Sequence, residues 1–361
     1  MKKNPDYIFL ALAGTLTIIG VIMIFSASPA LALKLGDSFH YLKRHLFYVV
    51  LGLFGFSAAL NLELDKLKKW SPAILIISIL LLLLVYIPGF GKTAGGATRW
   101  LDLYIFSFQP SELSKFAVVC FLAMALANKG ENLKKFFTGL LPLLLLLGFI
   151  AAIIIKQPDL GTALSLMGCA FFMFFAAGAR ISHLMVLLGL SAAGVLTISL
   201  ASPYRLRRLM GYLDPWSDPL NVGFHIIQSL LAVGSGGLWG LGLGNSRQKF
   251  FYLPQQYADF IFAVWCEEMG FIGAAFLLLI FILFFARGIR IARRAPDDFS
   301  SLLVTGIISM FAVQTFLNLA VVLGLIPTTG IPLPFISYGG TAIVINLFCV
   351  GLVANVSRTA S

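Results

Sequence analysis

The sequence has 361 residues, of which 59% are hydrophobic and only 11% are charged, and its mean hydropathy is +0.95. Soluble domains carry about 25% charged residues, so this composition excludes an ordinary soluble globule and a disordered chain. Four cysteines in a chain of this length exclude a disulfide framework. The net charge of +11 indicates positively charged cytoplasmic loops in so apolar a chain, and we expect no nucleic-acid partner.

Ten apolar runs follow one another along the chain. A helix of about 20 apolar residues crosses the hydrocarbon core of a bilayer. The sequence therefore predicts an all-α polytopic membrane protein with about ten transmembrane helices, forming one integral-membrane domain over residues 1–361. The predicted spans are 7–28, 45–60, 71–88, 111–128, 136–155, 161–178, 181–201, 260–286, 299–324 and 338–357.

The distribution of lysine and arginine predicts the orientation. Ten spans place both termini on one side, and the segments on that side hold 14 basic residues. The opposite segments hold 6 when the long loop at 202–258 is left aside. Because cytoplasmic loops are enriched in positive charge, we expect both termini inside and a long extracytoplasmic loop between helices 7 and 8.

The loop at 202–258 is unusual because it is basic on the face where positive charge is normally scarce. Its candidate ligand residues are Arg205 and Arg208, since guanidinium groups bind phosphate or pyrophosphate through paired hydrogen bonds. Attraction to anionic lipid headgroups explains the same charge equally well. The glycine-rich run at 234–245 lacks the spacing of a nucleotide-binding loop and indicates a tightly turning or re-entrant backbone.

Acidic residues follow this loop. Asp259 stands at the outer mouth of a span, where it either caps the helix or acts as a general base with a raised pKa. Glu267 and Glu268 lie further along the same helix, about 12 Å away at 1.5 Å per residue, which is too far for a glycosidase pair. Carboxylates inside a span are nevertheless expected to be functional or paired.

Polar residues mark three other helix mouths. Glu112 and Lys115 are three residues apart on one helix face, so an apolar helix keeps them only if they face a partner or a cavity. Asp159 follows a chain break and is expected to be exposed on the outer face. Ser337 lies in the uncharged, proline-stiffened segment 327–341, which either lines a substrate cavity or forms a tight interhelical turn.

Seven strings together resemble the SEDS family (shape, elongation, division and sporulation proteins). The resemblance runs in order over nearly the whole chain, with ten spans, and its string at 242–249 is most similar to the division and sporulation members. The strings are QPSELSK from Gln109, QPDLG from Gln157, DPWSDP from Asp214, GSGG from Gly234, GLGNSRQK from Gly242, DFIFAVWCEEMGFIG from Asp259 and GIPLPFISYGG from Gly330.

This resemblance implies a peptidoglycan glycosyltransferase that polymerises lipid II at the outer face of the bacterial cytoplasmic membrane. It implies that Asp259 is the essential aspartate and that Glu112 and Lys115 are the functional pair at a helix mouth. It also implies partnership with a class B penicillin-binding protein transpeptidase and other membrane proteins of the division machinery. One departure stands out: Gln255 and Ala258 replace the glutamate and threonine that often precede this aspartate.

The polymerisation that the resemblance implies requires few catalytic groups. A sugar hydroxyl must lose its proton as it attacks an anomeric carbon, and Asp259 is the candidate base. The departing pyrophosphate needs cations, for which Lys115 and Arg205, Arg207 or Arg208 are candidates, with a divalent cation such as Mg²⁺ or Mn²⁺ as a further candidate cofactor. An α-linked donor giving a β-linked polymer implies inversion in one displacement, without a nucleophilic serine or cysteine. An apolar groove between spans would hold the polyprenyl tails.

Two other functions remain open on the sequence. A lipid II flippase would use the same positive mouths together with the intramembrane carboxylates Glu267 and Glu268. A division scaffold would recruit other enzymes without catalysis and would tolerate the loss of Asp259. The crowding of polar residues on the outer side favours the enzyme over the flippase.

Overall fold

The computed structural model describes residues 4–33, 36–94, 97–102, 107–249 and 256–359. Within these ranges the chain is mostly helical, with 3-10 turns at Gly130–Lys134 and Pro215–Ser217 and a π-helical turn at Phe136–Leu140. The α-helices are α1 (Tyr7–Ala27), α2 (Pro29–Ala32), α3 (His40–Asn61), α4 (Leu64–Leu84), α5 (Pro110–Lys129), α6 (Leu141–Lys156), α7 (Leu160–Ala176), α8 (Ile181–Leu200), α9 (Pro203–Leu213), α10 (Phe224–Ser235), α11 (Ile261–Arg293), α12 (Asp298–Val322) and α13 (Gly340–Ser357).

The ten predicted spans correspond to ten of these helices, which confirms an all-α polytopic membrane protein. Among the described residues, eight helical segments are long and apolar enough to cross a bilayer: α1, α4, α5, Phe136–Lys156, α8, α11, α12 and α13. The other two predicted spans coincide with α3 and with α7, which has 17 residues. The orientation of these helices in the membrane stays a prediction.

Helix α11 is longer than the predicted span and is kinked. It has 33 residues, and at 1.5 Å per residue its length of about 50 Å exceeds the roughly 30 Å hydrocarbon core. The kink lies at Gly270, where φ is +64°, a conformation that side chains other than glycine rarely adopt. The segment before the kink therefore need not share the direction of the span that follows it.

A small antiparallel sheet, which the sequence did not predict, forms in the segment between α4 and α5. Its strands are β1 (Gly91–Ala94), β2 (Ala97–Asp102) and β3 (Ser107–Phe108), in that order. Leu101 of the middle strand pairs with Gly91 on one side and with Phe108 on the other. The sheet fixes the position of Arg99, which lies on the same strand.

The segment between α12 and α13 enters the core. Phe335 is fully buried, and its ring centroid lies 5.0 Å from that of Phe311 and 5.5 Å from that of Phe284. Its φ of +66° is uncommon for a residue with a side chain, so the packing of its ring holds a strained backbone. A Cβ at Gly20 of α1 would lie 2.2 Å from the Phe335 carbonyl oxygen, so this close approach requires glycine.

The described parts of the long segment, residues 202–249 and 256–258, include two helices, α9 and α10. The glycine-rich run after α10 pairs with the kink of α11: the Leu241 and Gly242 amides donate to the Glu267 and Glu268 carbonyls, at 3.0 and 2.9 Å. A Cβ at Gly240 would lie 2.2 Å from the Glu268 carbonyl oxygen. Four glycines of the run have positive φ, in agreement with the predicted tight turning: Gly237, Gly240, Gly242 and Gly244.

Candidate active site

Asp259 lies two residues before the first residue of α11 and is half-buried. Helix α11 has Phe260 at its N-cap position and no side-chain cap, so the alternative that Asp259 caps this helix is wrong. Among the described residues, the Asp259 carboxylate accepts no hydrogen bond, which leaves both oxygens available to a ligand. A carboxylate that is partly desolvated and unbonded is the arrangement expected of a general base.

The charges around Asp259 come from three separate segments. Burial, with a smaller contribution from the nearby Asp159 carboxylate, raises the pKa of Asp259 to about 6. Arg99 of β2 and Arg208 of α9 act in the opposite direction and lower this pKa. The carboxyl group is therefore more basic than an ordinary aspartate, while it remains mostly ionised at neutral pH.

The backbone that carries Asp259 is held by the segment between α12 and α13. The Ser337 hydroxyl donates to the Ala258 carbonyl at 2.6 Å and accepts from the Leu333 amide at 2.7 Å. The next residue makes a second contact with the same stretch of backbone: the Tyr338 amide donates to the Tyr257 carbonyl at 2.9 Å. Ser337 is 6% exposed, and its hydrogen bonds support the backbone next to Asp259.

Helix α12 supports the same region through two buried amides one turn apart. The Asn318 Nδ2 donates to the carbonyls of Asp259 and Ile331, each at 2.7 Å. One turn earlier, the Gln314 Nε2 donates to the Pro332 carbonyl at 3.0 Å. These two amides hold the aspartate and the proline-rich segment against one helix face.

Glu112 and Lys115 form a buried ion pair in α5. The Lys115 Nζ lies 2.9 Å from the Glu112 carboxylate and donates to the Gln314 Oε1 at 3.0 Å. Both side chains are 4% exposed, so the pair faces a protein partner, one of the two alternatives that the sequence allowed. Gln314 thereby connects this pair to the segment next to Asp259.

The other predicted binding residues are Asp159, Arg205 and Arg208, and the charges of Asp159 and Arg208 act on Asp259. Asp159 is 2% exposed, which corrects the expectation that it is exposed, because its carboxylate accepts from the Thr162 amide at 3.2 Å and caps α7. Arg205 donates to the Ile155 carbonyl at 3.0 Å, and Arg208 donates to the Thr328 carbonyl at 2.9 Å. Both arginines thus keep donors free for a ligand.

Glu267 and Glu268 are occupied by the segment that follows the glycine-rich run. Glu267 accepts from the Arg247 amide at 2.9 Å and from the Ser246 hydroxyl. Glu268 accepts from the Ser26 hydroxyl at 2.7 Å and pairs with Lys249 at 3.2 Å. These carboxylates therefore anchor residues 246–249 to α11 and α1.

Sequence reasoning missed several residues of this region. Arg99 donates to the carbonyls of Gln157 and Pro158, at 3.1 Å for the first, and the only sequence signal was one arginine in a long outer loop. Gln314 and Asn318 were also missed, although amides inside an apolar helix are a usable signal. Three tyrosines pack beside Asp259, with ring centroids 4.6 to 5.5 Å apart: Tyr41, Tyr257 and Tyr338.

The two positions that depart from the family pattern have different outcomes. Gln255 lies outside the described residues. Ala258 contributes its carbonyl to the Ser337 contact, which needs no particular side chain. The neighbouring Gln256 is buried and donates to the carbonyls of Ala27 and Lys249, at 3.0 and 2.6 Å.

The described ranges contain no group of three or more histidine, cysteine, aspartate or glutamate side chains placed to hold a metal ion. Mg²⁺ is commonly held by one or two carboxylates together with substrate phosphates. The carboxylates of Asp259 and Asp159 fit that second kind of site, since the first accepts no hydrogen bond from described residues and the second accepts one.

Comparison with known proteins gives matches along the whole chain. Residues 6–361 match the family described as cell cycle protein, FtsW/RodA/SpoVE. Stage V sporulation protein E of Bacillus subtilis (strain 168) is 46% identical over 358 residues, covering 99% of this chain and 98% of that protein. A probable peptidoglycan glycosyltransferase FtsW of Geobacter sp. (strain M18) is 43% identical, covering 98% and 97%.

Solved structures agree with this result. One similar solved structure is described as "Structural coordination of polymerization and crosslinking by a peptidoglycan synthase complex". Its matching chain has a TM-score of 0.83 and 30% identity, with 98% of each chain covered. The rod shape determining protein RodA of Thermus thermophilus has a TM-score of 0.73 and 29% identity, covering 99% of this chain and 97% of that one. The chain therefore belongs to the FtsW/RodA/SpoVE family, and its resemblance to the SEDS proteins is confirmed.

Proposed function

We propose that this chain is a peptidoglycan glycosyltransferase that polymerises lipid II into glycan strands during cell division. Membership of the family and the 43% identity to proteins named as probable peptidoglycan glycosyltransferases support the class of reaction. The observation that carries the mechanism is the half-buried Asp259 carboxylate, which accepts no hydrogen bond from the described residues and has a raised pKa.

Asp259 acts as the general base of an inverting transfer. Its carboxylate takes the proton from the acceptor sugar hydroxyl while that oxygen attacks the anomeric carbon of the donor. The bond from this carbon to the pyrophosphate oxygen breaks, and its electron pair leaves with the lipid pyrophosphate. One displacement inverts the anomeric centre, and general-base help of this kind contributes about 10²- to 10⁴-fold in rate.

The surrounding residues hold the base and the substrate in place. Asn318 and Ser337 fix the backbone on either side of Asp259, while Glu112 and Lys115 anchor α5 to Gln314. We assign Arg205 and Arg208 to the anionic part of the substrate. A divalent cation at Asp259 and Asp159 would supply further positive charge to the departing pyrophosphate.

An apolar cavity of about 660 Å³ fits the lipid part of the substrate. It lies between α6, α7, α8 and α12, and among its lining residues are Met167, Phe171, Leu187 and Phe316. Helix α8 packs loosely against the bundle, since Leu184 is its one buried residue. The cavity reaches Leu164 and Leu317, which are close in sequence to Asp159 and Asn318, so a polyprenyl chain there would emerge beside the base.

The site faces the extracytoplasmic side in this proposal. The lysine and arginine bias that predicts internal termini places Asp259 and the mouths of α5 and α7 outside. A class B penicillin-binding protein transpeptidase is the proposed partner, because a structurally similar chain comes from a synthase complex that coordinates polymerization and crosslinking. Other division membrane proteins are further proposed partners.

The test compares wild type with Asp259→Asn, each purified with its cognate transpeptidase and incubated with labelled lipid II and Mg²⁺ or Mn²⁺. Product length is read on a gel. We expect a glycan ladder from wild type and none from the variant, because asparagine keeps the size of the side chain but cannot accept the proton. Asp214→Asn is the matched control, since this aspartate is exposed in the same long segment.

Each outcome separates the candidate functions. Equal ladders from wild type and Asp259→Asn would contradict the assignment of the base. The absence of a ladder from folded, partnered wild type would favour a flippase or a scaffold. The described contacts of Glu267 and Glu268, the residues that kept the flippase open, are with residues 246–249 and do not favour a flippase.

A further inference from the structure

Two arginines from distant parts of the chain bind turns that lie beside Asp259. A Cβ at Gly330, two residues after Thr328, would lie 3.5 Å from the Asp259 Oδ2, and a Cβ at Gly161, three residues after Pro158, would lie 2.8 Å from the Thr329 carbonyl oxygen. Arg99 lies on β2 and Arg208 on α9, and the charges of both influence Asp259 and each other. Arg99 donates through Nε to the Gln157 carbonyl at 3.1 Å and through Nη2 to the Pro158 carbonyl. Arg208 donates through Nη1 to the Thr328 carbonyl at 2.9 Å and lies over the Tyr204 ring at 4.6 Å. Each guanidinium is therefore held at one edge by backbone oxygens.

These contacts leave most of the donors unused. A guanidinium has five N–H groups, and Arg99 uses two of them and Arg208 one in contacts with described residues. Neither arginine forms an ion pair with a carboxylate of the described residues, although both are half-buried. By contrast, the buried Lys115 is already paired with Glu112 and bound to Gln314.

A half-buried cation without an anionic partner has lost hydration that no protein carboxylate replaces. The nearby carboxylates do not fill this role, because Asp159 caps α7 and Asp259 is left open as the base. A ligand with several anionic oxygens would supply the partner, and planar guanidinium groups bind phosphate oxygens in pairs. Two such groups on separate elements suit a group with two phosphates better than a single phosphate.

We propose that Arg99 and Arg208 form a diphosphate clamp that holds the pyrophosphate of a polyprenyl-linked substrate beside Asp259. This inference rests on the proposed function for the identity of the substrate. The clamp deepens the assignment of Arg208 by adding Arg99. As the bond to the anomeric carbon breaks, negative charge grows on the pyrophosphate oxygen, and fixed cations at that point stabilise it.

In this proposal the sheet between α4 and α5 has a role at the site, because it positions Arg99. By binding the carbonyls of Gln157 and Pro158, Arg99 fastens β2 to the turn that carries Asp159. Arg208 fastens α9 to the proline-rich segment in the same way. The two halves of the clamp thus lie on separate elements, β2 and α9, and the substrate would join them.

The test measures binding of undecaprenyl pyrophosphate and undecaprenyl phosphate to the full chain, purified with its transpeptidase partner, in detergent and without turnover. The variants are Arg99→Gln, Arg99→Lys and Arg208→Gln. The matched control is Arg207→Gln, because Arg207 is exposed on the same helix as Arg208. A melting temperature for every variant verifies folding.

We expect wild type and Arg207→Gln to prefer the pyrophosphate lipid. Arg99→Gln and Arg208→Gln should each weaken its binding roughly 10- to 100-fold, the range for lost hydrogen bonds to charged groups, and leave binding of the monophosphate lipid nearly unchanged. Arg99→Lys should retain part of the preference, because it keeps the charge but loses the paired geometry.

Folded glutamine variants that keep the full preference for pyrophosphate would overturn the clamp. Equal weakening for both lipids would also overturn it, because the arginines would then act on the lipid or the fold. If Arg99→Gln does not fold, Arg208→Gln gives the same test from a separate element. A wild type that binds pyrophosphate selectively but makes no polymer would leave the clamp standing and contradict the polymerase.

Discussion

The Asn318 side chain of α12 donates to the main-chain carbonyl of Asp259 at 2.7 Å, and the same nitrogen donates to the Ile331 carbonyl at 2.7 Å. One buried amide therefore fixes the proposed base relative to the proline-rich segment. Because this contact is to the backbone, it sets where the carboxylate points without neutralising it.

We predict that Asn318→Ala lowers polymerisation by about 10-fold or more and lowers the free energy of unfolding by about 1–3 kcal/mol. Two buried carbonyl oxygens would lose their donor, and the backbone at Asp259 would be free to shift. Turnover with labelled lipid II and thermal melting in detergent measure the two effects. Asn221→Ala is the control, since Asn221 is exposed, and a loss of similar size there would contradict the prediction.

The pH dependence of polymerisation should report the charge next to the base. Asp259 has a pKa raised to about 6, so activity should fall as the pH drops through this value and the base becomes protonated. Asp159→Asn removes a negative charge that raises this pKa, so the acid limb should move to lower pH. Asparagine still caps a helix, so α7 should remain folded. A limb that stays in place or moves to higher pH would refute this electrostatic coupling.

Glu268→Gln should destabilise the fold strongly. Glu268 is fully buried and pairs with Lys249 at 3.2 Å, and removing one partner of a buried pair costs about 3–5 kcal/mol. Glu63→Gln is the matched control, because the Glu63–Lys66 pair is exposed and such pairs contribute about 0–1 kcal/mol. Thermal melting should show a large decrease for the first variant and almost none for the second. Equal melting temperatures would show that the Glu268 contact is not an anchor.

Gly240→Ala should prevent the glycine-rich run from docking on α11. The φ of Gly240 is +79°, and its Cβ would lie 2.2 Å from the Glu268 carbonyl oxygen, so the backbone must move. Gly189→Ala in α8 has nothing within 4 Å of the new Cβ and should be neutral or slightly stabilising. The yield of folded protein and its melting temperature compare them. A well-folded Gly240→Ala with unchanged melting would argue against the close contact.

Local pattern was sufficient for the spans and for the positions of the polar residues. Apolar length alone located α1 and α12, because a bilayer requires a fixed length of apolar helix. Spacing also placed Glu112 and Lys115 on one face of α5, and the structure pairs them at 2.9 Å. The sequence pattern was less informative about the burial of a polar side chain that bonds to another part of the protein. Asp159, for example, caps a helix instead of lying exposed.

The sequence by itself determined that the chain is a polytopic helical membrane protein, which motifs it shares with the SEDS proteins, and that Asp259 is the candidate base. Only the tertiary structure decided that Arg99 joins Arg208, Asp159 and Asp259, and that Glu267 and Glu268 are occupied. The physical reason is that helical periodicity shows which residues share a face. It contains no information about which faces meet, and contacts between residues more than 100 positions apart depend on packing.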